Sequence, residues 1–400
     1  MGKNGSTSIQ GTLLKNSDIL EKNGFRYLNE WGQNHLRTVY RLFSPCPTVP
    51  KNAGALGRPI PNIKHERQKA ITKMLNVMNT TKCETLIISG EYYQEFHLDS
   101  VMEKIKTFIK NHFQCKNIET TIVLFLRNPL PWIVSSVQEG AFKGGFSYKN
   151  NGDYYEMRMK QYEGIINLQK YFPDSLKLLK FEDACLDEDG LVGYFLKTID
   201  FPASELKKIN FFRLNESRSM EVIEFARYLE AVEPRFPFND YRRSNPNITL
   251  KDVKHLKNIK GVKFDLPYQS KVNLLTRFQA TILFLKENTG IDYTDYTIPE
   301  IPSQDTYSEE TIQEFINVFQ KLSIVVQKHF LKFFEAKYLE TTEEKFKQLY
   351  FKDSVPYTIF ANRNAIISLR SYYLKRKLRE VLPRKAKKFL RRKLGYNLFQ

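Results

Sequence analysis

Thr120-Thr121-Ile122-Val123-Leu124-Phe125-Leu126-Arg127-Asn128-Pro129 is the stretch that decides how this chain folds. Its apolar residues do not alternate with polar ones, and Asn128-Pro129 stops the run. It is too short for a buried helix, so it predicts a strand covered on both faces, as in a parallel sheet. Two shorter runs read the same way: Thr85 to Ser89, ending at Gly90, and Leu176 to Phe181. Between and around them the apolar residues fall at helical spacing. Helices are expected at Ser6–Asn23, closed by Gly24 as a C′ glycine, and at Lys64–Met78, Asp99–Phe113 and Tyr154–Phe172. Strands alternating with helices predict an α/β fold with a parallel sheet flanked by helices. The proline-studded stretch Trp31–Asn62 reads as irregular.

Beyond Ser217 the strand signals fade. Arg218–Leu229, Asp265–Asn288 and Ser308–Leu339 read as helices, and Pro299, Pro302 and Ser303 punctuate the chain. The expected organisation is an α/β domain over residues 1–300 and a helical, basic C-terminal extension over 301–400. The 400 residues carry 62 Lys and Arg against 44 Asp and Glu, a net charge of +18. Such a balance favours anionic partners. Net +11 of it lies between Arg370 and Lys393, in a basic amphipathic stretch interrupted by Pro383. Residues 371–394 are therefore expected to lie on an anionic membrane surface rather than on nucleic acid. With 42% hydrophobic residues the chain can build a core, and wholesale disorder is excluded. The four cysteines lack C-x-x-C spacing, which argues against a disulfide framework or a cysteine zinc site and for a reducing compartment. No transmembrane run and no signal peptide are visible, so a cytoplasmic enzyme, peripheral at the inner membrane face, is the expectation. Met1-Gly2-Lys3-Asn4-Gly5-Ser6 also fits the N-myristoylation pattern, but these residues have a better explanation.

Two segments carry the chemistry. Gly2-Lys3-Asn4-Gly5-Ser6-Thr7-Ser8-Ile9-Gln10 runs straight into the first helix. A short glycine-containing loop lets backbone N–H groups converge on one oxyanion, the helix start adds partial positive charge, and Lys3, Ser6 and Thr7 add donors. It is not a Walker A loop, because Lys3 precedes Gly5. The second segment is Arg127-Asn128-Pro129 followed eight residues after Arg127 by Ser135. Arg127 ends a buried strand, where ligands bind in open α/β sheets, and an arginine fork with a hydroxyl suits a second phosphate.

Together these segments resemble the PAPS-dependent sulfotransferases. Lys3-Asn4-Gly5-Ser6-Thr7-Ser8 is similar to the family's phosphosulfate loop, K-[ST]-G-[ST]-[ST], with Asn4 where Ser or Thr is usual. Arg127-Asn128-Pro129 with Ser135 is similar to its 3′-phosphate segment. The surroundings resemble bacterial members of surface-polysaccharide pathways: the loop runs on to Gln10, a strand ends in Ser89-Gly90-Glu91, and another ends in Lys180-Phe181-Glu182-Asp183. The resemblance covers roughly residues 1–290. It implies a P-loop-like fold, with a strand upstream of Met1 leading into the loop. It also implies PAPS as co-substrate without a metal, and transfer of a sulfuryl group to a hydroxyl or amine of a glycan or glycolipid. Lys3, Asn4, Gly5, Ser6, Thr7 and Ser8 would bind the 5′-phosphosulfate, Lys3 also acting in catalysis, and Arg127 and Ser135 the 3′-phosphate. Lys260, before Gly261, would close over the nucleotide. Independently of the resemblance, Lys143, in Phe142-Lys143-Gly144-Gly145, follows the Arg127–Ser135 segment and is placed to meet acceptor anions. The general base would be Glu91, just past a strand end, or His35. Two other classes compete. A kinase-like transferase lacks the Walker A order, and a non-enzymatic basic adaptor has no use for a phosphate grip at a buried strand end.

Overall fold

The computed structural model describes residues 4–48, 59–90, 95–143, 162–212, 218–232, 248–259, 261–299, 309–338 and 373–374. The chain is a mostly helical α/β protein with small, two-stranded parallel sheets. It divides into two compact units. One comprises Met1–Ser136, Tyr148–Glu216 and Lys271–Thr297, the other Val137–Ser147, Ser217–Ser270 and Ile298–Gln400.

The first unit opens with α1 (Ser6–Lys15), α2 (Ser17–Lys22) and β1 (Phe25–Tyr27). One continuous helix was expected over Ser6–Asn23, but Asn16 divides it. Its side chain donates to the Thr12 carbonyl at 2.8 Å and the Asn210 carbonyl at 3.0 Å, and accepts from Asn210 N at 2.9 Å. Asparagine here serves a distant backbone segment instead of continuing the helix. Gly24, at φ 85°, does end α2. The strand β1 has no counterpart in the sequence reading, because three residues centred on Arg26 make no apolar run. It pairs in parallel with β2 (Thr85–Ile87), with Arg26 opposite Leu86.

Within the stretch read as irregular, α3 spans Leu36–Phe43, started by Asn34, whose Oδ1 accepts from Leu36 N at 2.9 Å. Next come α4 (Ile63–Thr80), α5 (Asp99–His112), β3 (Ile122–Leu126) and α6 (Pro129–Lys143). They are followed by α7 (described over 162–171), β4 (Leu176–Lys180), α8 (Phe181–Leu186), α9 (Gly190–Thr198) and α10 (Ala203–Leu206). Strands β3 and β4 pair in parallel, Ile122 with Leu176 through Leu126 with Lys180. Both faces are covered. Val123, Phe125 and Leu179 join the core made by α1 and α9, which includes Leu13, Leu20 and Tyr27 at no exposure. Ile122, Leu124 and Leu176 pack with α5 and α7. This is why the strand reads as an unbroken apolar run. Burying each large side chain stabilises the fold by roughly 1.5–3 kcal/mol.

The second unit is helical, with α11 (Met220–Val232), α12 (Leu250–Leu256), α14 (Glu309–Lys321) and α15 (Ile324–Tyr338); α13 (Tyr268–Thr289) lies mostly in the first unit. Helix α11 packs on α15 and α12 on α14, around Phe225, Phe319, Phe330 and Phe333. A single helix was expected over Ser308–Leu339. It breaks at Ser323, whose N–H donates to Asp252 Oδ1 at 2.6 Å while Asp252 also completes a capping box with Thr249. No helix among the described residues is long and apolar enough to cross a membrane.

Candidate functional site

The loop that enters α1 is anchored at its first described residue. Asn4 is buried, and its side-chain amide donates to the carbonyl of Phe125, near the end of β3. Gly5 caps α1 at φ 72°, a left-handed conformation that glycine adopts without strain. A Cβ there would lie 1.9 Å from Leu191 Cδ2 and 3.5 Å from the Phe181 ring. The Gly5 carbonyl accepts from Ser8 N and Ile9 N, closing the first turn. No acidic residue lies in that turn. Ser6, Thr7 and Ser8 are half-buried at a positive helix start, an arrangement that suits an anion.

Arg127 lies against the same aromatic ring. Its guanidinium carbon is 4.9 Å from the Phe181 centroid. Phe181 follows β4 directly, and Lys180 pairs with Leu126, so the sheet register itself brings Phe181 beside Arg127. Asn128 caps α6: its Oδ1 accepts from Leu130 N at 2.9 Å and its carbonyl from Trp132 N at 3.2 Å, with Pro129 at the first helical position. Ser135 is half-buried in the second turn of α6, about 9 Å along the helix axis from Pro129. Asn4, Gly5 and Arg127 are thus gathered at the carboxyl end of β3, with Ser6, Thr7 and Ser8 on the helix that starts there.

His35 is placed differently. It has no exposure, stacks on Tyr27 at 4.7 Å and meets Trp31 edge-on at 5.7 Å. Its Nδ1 accepts from Ser89 N at 3.1 Å, and the His35 backbone N–H donates to the Ser89 carbonyl at 3.1 Å. Burial pushes the imidazole down to about 4, against the pull of the Gly32 and Leu28 carbonyls, so it is neutral at physiological pH. As placed, the Nδ1 lone pair is taken by a backbone amide, and His35 serves to hold the end of β2. Gln10, buried on α1, reinforces the same point through Nε2, 3.2 Å from Ser89 Oγ. Glu91 lies two residues beyond Ser89, outside the described residues, as do Lys3 and Lys260; Lys143 closes α6, and its side chain is likewise outside them.

Three residues to which the sequence reading gave no role belong to this region. Glu182 Oε1 accepts from Asn128 N at 3.1 Å. The Tyr293 hydroxyl lies 3.0 Å from Glu182 Oε2 and 2.8 Å from the Leu126 carbonyl. Gln10 is the third. The position of Glu182 just past a strand end was a usable signal; Tyr293, far along the chain, carried none. Among the described residues no three His, Cys, Asp or Glu side chains are grouped to hold a metal ion. Against models of known protein families, curated proteins and solved structures, the chain gives no match.

Proposed function

We propose that the chain is a PAPS-dependent sulfotransferase acting on a hydroxyl or amine of a glycan or glycolipid. One observation supports this above the others: Gly5 and the strand-end Arg127 both lie beside the Phe181 ring, at the carboxyl end of the β3–β4 pair. Two anion-binding elements 122 residues apart in sequence thereby face one locality, as a nucleotide with phosphates at both 5′ and 3′ positions requires. The Asn4 side-chain amide donates to the Phe125 carbonyl, so it anchors the loop, and the anion falls to backbone amides, Ser6, Thr7, Ser8 and Lys3.

In this reaction the acceptor oxygen or nitrogen bonds to sulfur while the bond from sulfur to the 5′-phosphate oxygen breaks. Adenosine 3′,5′-bisphosphate leaves, and the acceptor proton passes to a base, to which we assign Glu91. Donors at the helix start and Lys3 stabilise the charge that builds on the transferring group and the leaving phosphate. Arg127 and Ser135 hold the 3′-phosphate, which takes no part in bond making. A charge-assisted contact is worth roughly 1.5–3 kcal/mol, so adenosine 3′,5′-bisphosphate is expected to bind on the order of ten- to a hundred-fold more tightly than AMP. Titration calorimetry on the chain and on Arg127→Ala measures this. Equal affinities for the two nucleotides in the unaltered protein would remove the assignment.

A further inference from the structure

The backbone on either side of Arg127 is held by side chains from two other parts of the chain. At the end of a strand the ladder stops, and the peptide groups there need other partners. The Leu126 carbonyl, immediately before Arg127, lies 2.8 Å from the Tyr293 hydroxyl. The Asn128 N–H, immediately after it, donates to Glu182 Oε1 at 3.1 Å. These two holders are joined: the same Tyr293 hydroxyl is 3.0 Å from Glu182 Oε2, its single proton shared between carbonyl and carboxylate. Tyr293 is 3% exposed, and Lys180 sits over its ring at 5.1 Å. Glu182 adjoins Phe181, the ring that carries the Arg127 guanidinium.

We infer that Glu182 and Tyr293 are positioning residues that fix the peptide planes flanking Arg127 and so aim its guanidinium at the 3′-phosphate of the bound nucleotide. The inference rests on the reading of Arg127 given above. Two features separate this pair from ordinary structural hydrogen bonds. Both act on the residues adjoining Arg127, and each reaches there from a distant part of the sequence. Neither side chain is assigned any contact with the nucleotide. Their influence is therefore confined to the phosphate that Arg127 grips.

The test is the ratio of AMP to adenosine 3′,5′-bisphosphate dissociation constants, measured by calorimetry on the full chain. Tyr293→Phe keeps the ring and deletes the hydroxyl. It is expected to cut the ratio about three- to ten-fold while AMP affinity stays within two-fold, because AMP lacks the 3′-phosphate. Glu182→Ala is expected to do the same. Glu182→Gln keeps an oxygen for Asn128 N–H and is expected to recover most of the ratio. In an Arg127→Ala background neither change is expected to alter the ratio further, since coupled residues are not additive. A merely structural pair would lower thermal stability and leave the ratio untouched. If the unaltered chain shows a ratio near one, the reading of Arg127 fails and the inference falls with it. If the ratio is large and Arg127→Ala abolishes it, while folded Tyr293→Phe and Glu182→Ala preserve it, the inference alone is overturned. Should one of these variants not fold, the other decides.

Discussion

Gly5 shows how a single position constrains the loop. It combines φ 72° with a Cβ direction that points into Leu191. Gly5→Ala therefore incurs roughly 1–2 kcal/mol of left-handed strain, and displacing Leu191 adds overpacking of roughly 1–3 kcal/mol. The expected loss of stability is about 2–5 kcal/mol, read from the urea midpoint at unchanged slope. Gly5→Ala with Leu191→Ala should relieve the clash and leave the strain, at the expense of a new cavity. His35 makes a second residue-scale prediction. Its folded-state value, about 4, lies below the ordinary 6.5. The unfolded chain therefore binds the proton first as pH falls. Stability is full above about pH 6.5 and declines down to about pH 4, by an order of 3 kcal/mol. His35→Asn places an acceptor near the Nδ1 position for Ser89 N–H and cannot titrate. It should flatten that part of the stability-against-pH curve, measured by chemical unfolding at several pH values. An unchanged slope between pH 4 and 6.5 would show that His35 is not its source.

At the scale of elements, what the sequence announces depends on whether burial or a remote partner decides the structure. Strands β3 and β4 were legible, because burial on both faces demands apolar runs. Helices α4 and α5 were legible within a few residues from their periodicity. The break at Asn16, the short β1 and the junction at Ser323 were not, since each depends on a partner far along the chain: Asn210, β2 and Asp252. The site divides likewise. Gly5 and Arg127 stand in local motifs, whereas Tyr293 reaches Leu126 across 167 residues and leaves no local trace. In the proposed reaction the end of β2 leads into the residue assigned as base. Ser89 is pinned by both backbone groups to His35 and by its side chain to Gln10, so the point from which Glu91 departs is fixed. With Nδ1 of His35 engaged, Glu91 is the better assignment for the base. A general base contributes about 10²–10⁴-fold to rate. Glu91→Gln is expected to lower turnover at least about a hundred-fold with nucleotide affinity within a few-fold. Turnover that survives this change would move the base elsewhere.

For the whole molecule the question is what the uneven charge does. Net +11 of the +18 lies between Arg370 and Lys393, among Tyr372, Tyr373, Leu374, Leu378, Phe389 and Leu390. A basic stretch with apolar residues interleaved gains both from anionic headgroups and from shallow burial of its apolar face. An enzyme acting on lipid-linked glycans would gain from being held at the surface where its acceptor resides. Among the described residues, the second unit's buried aromatic side chains include Phe225 on α11, Phe319 on α14 and Phe330 and Phe333 on α15, all before Tyr338. Ending the chain after Asn364 leaves every one of these side chains in place. The shortened chain is therefore expected to unfold cooperatively with a midpoint close to that of the full chain. Its binding to vesicles containing phosphatidylserine should fall steeply, since each basic residue near such a surface contributes about 1 kcal/mol before screening. Binding of the full chain should also weaken as salt shortens the Debye length from about 10 Å at 0.1 M towards 3 Å at 1 M. Cosedimentation with phosphatidylserine vesicles and with purely zwitterionic ones separates the electrostatic part from the apolar part. Equal binding by the full and shortened chains would assign membrane contact to another surface. Loss of the cooperative transition would show that residues beyond 364 belong to the folded core.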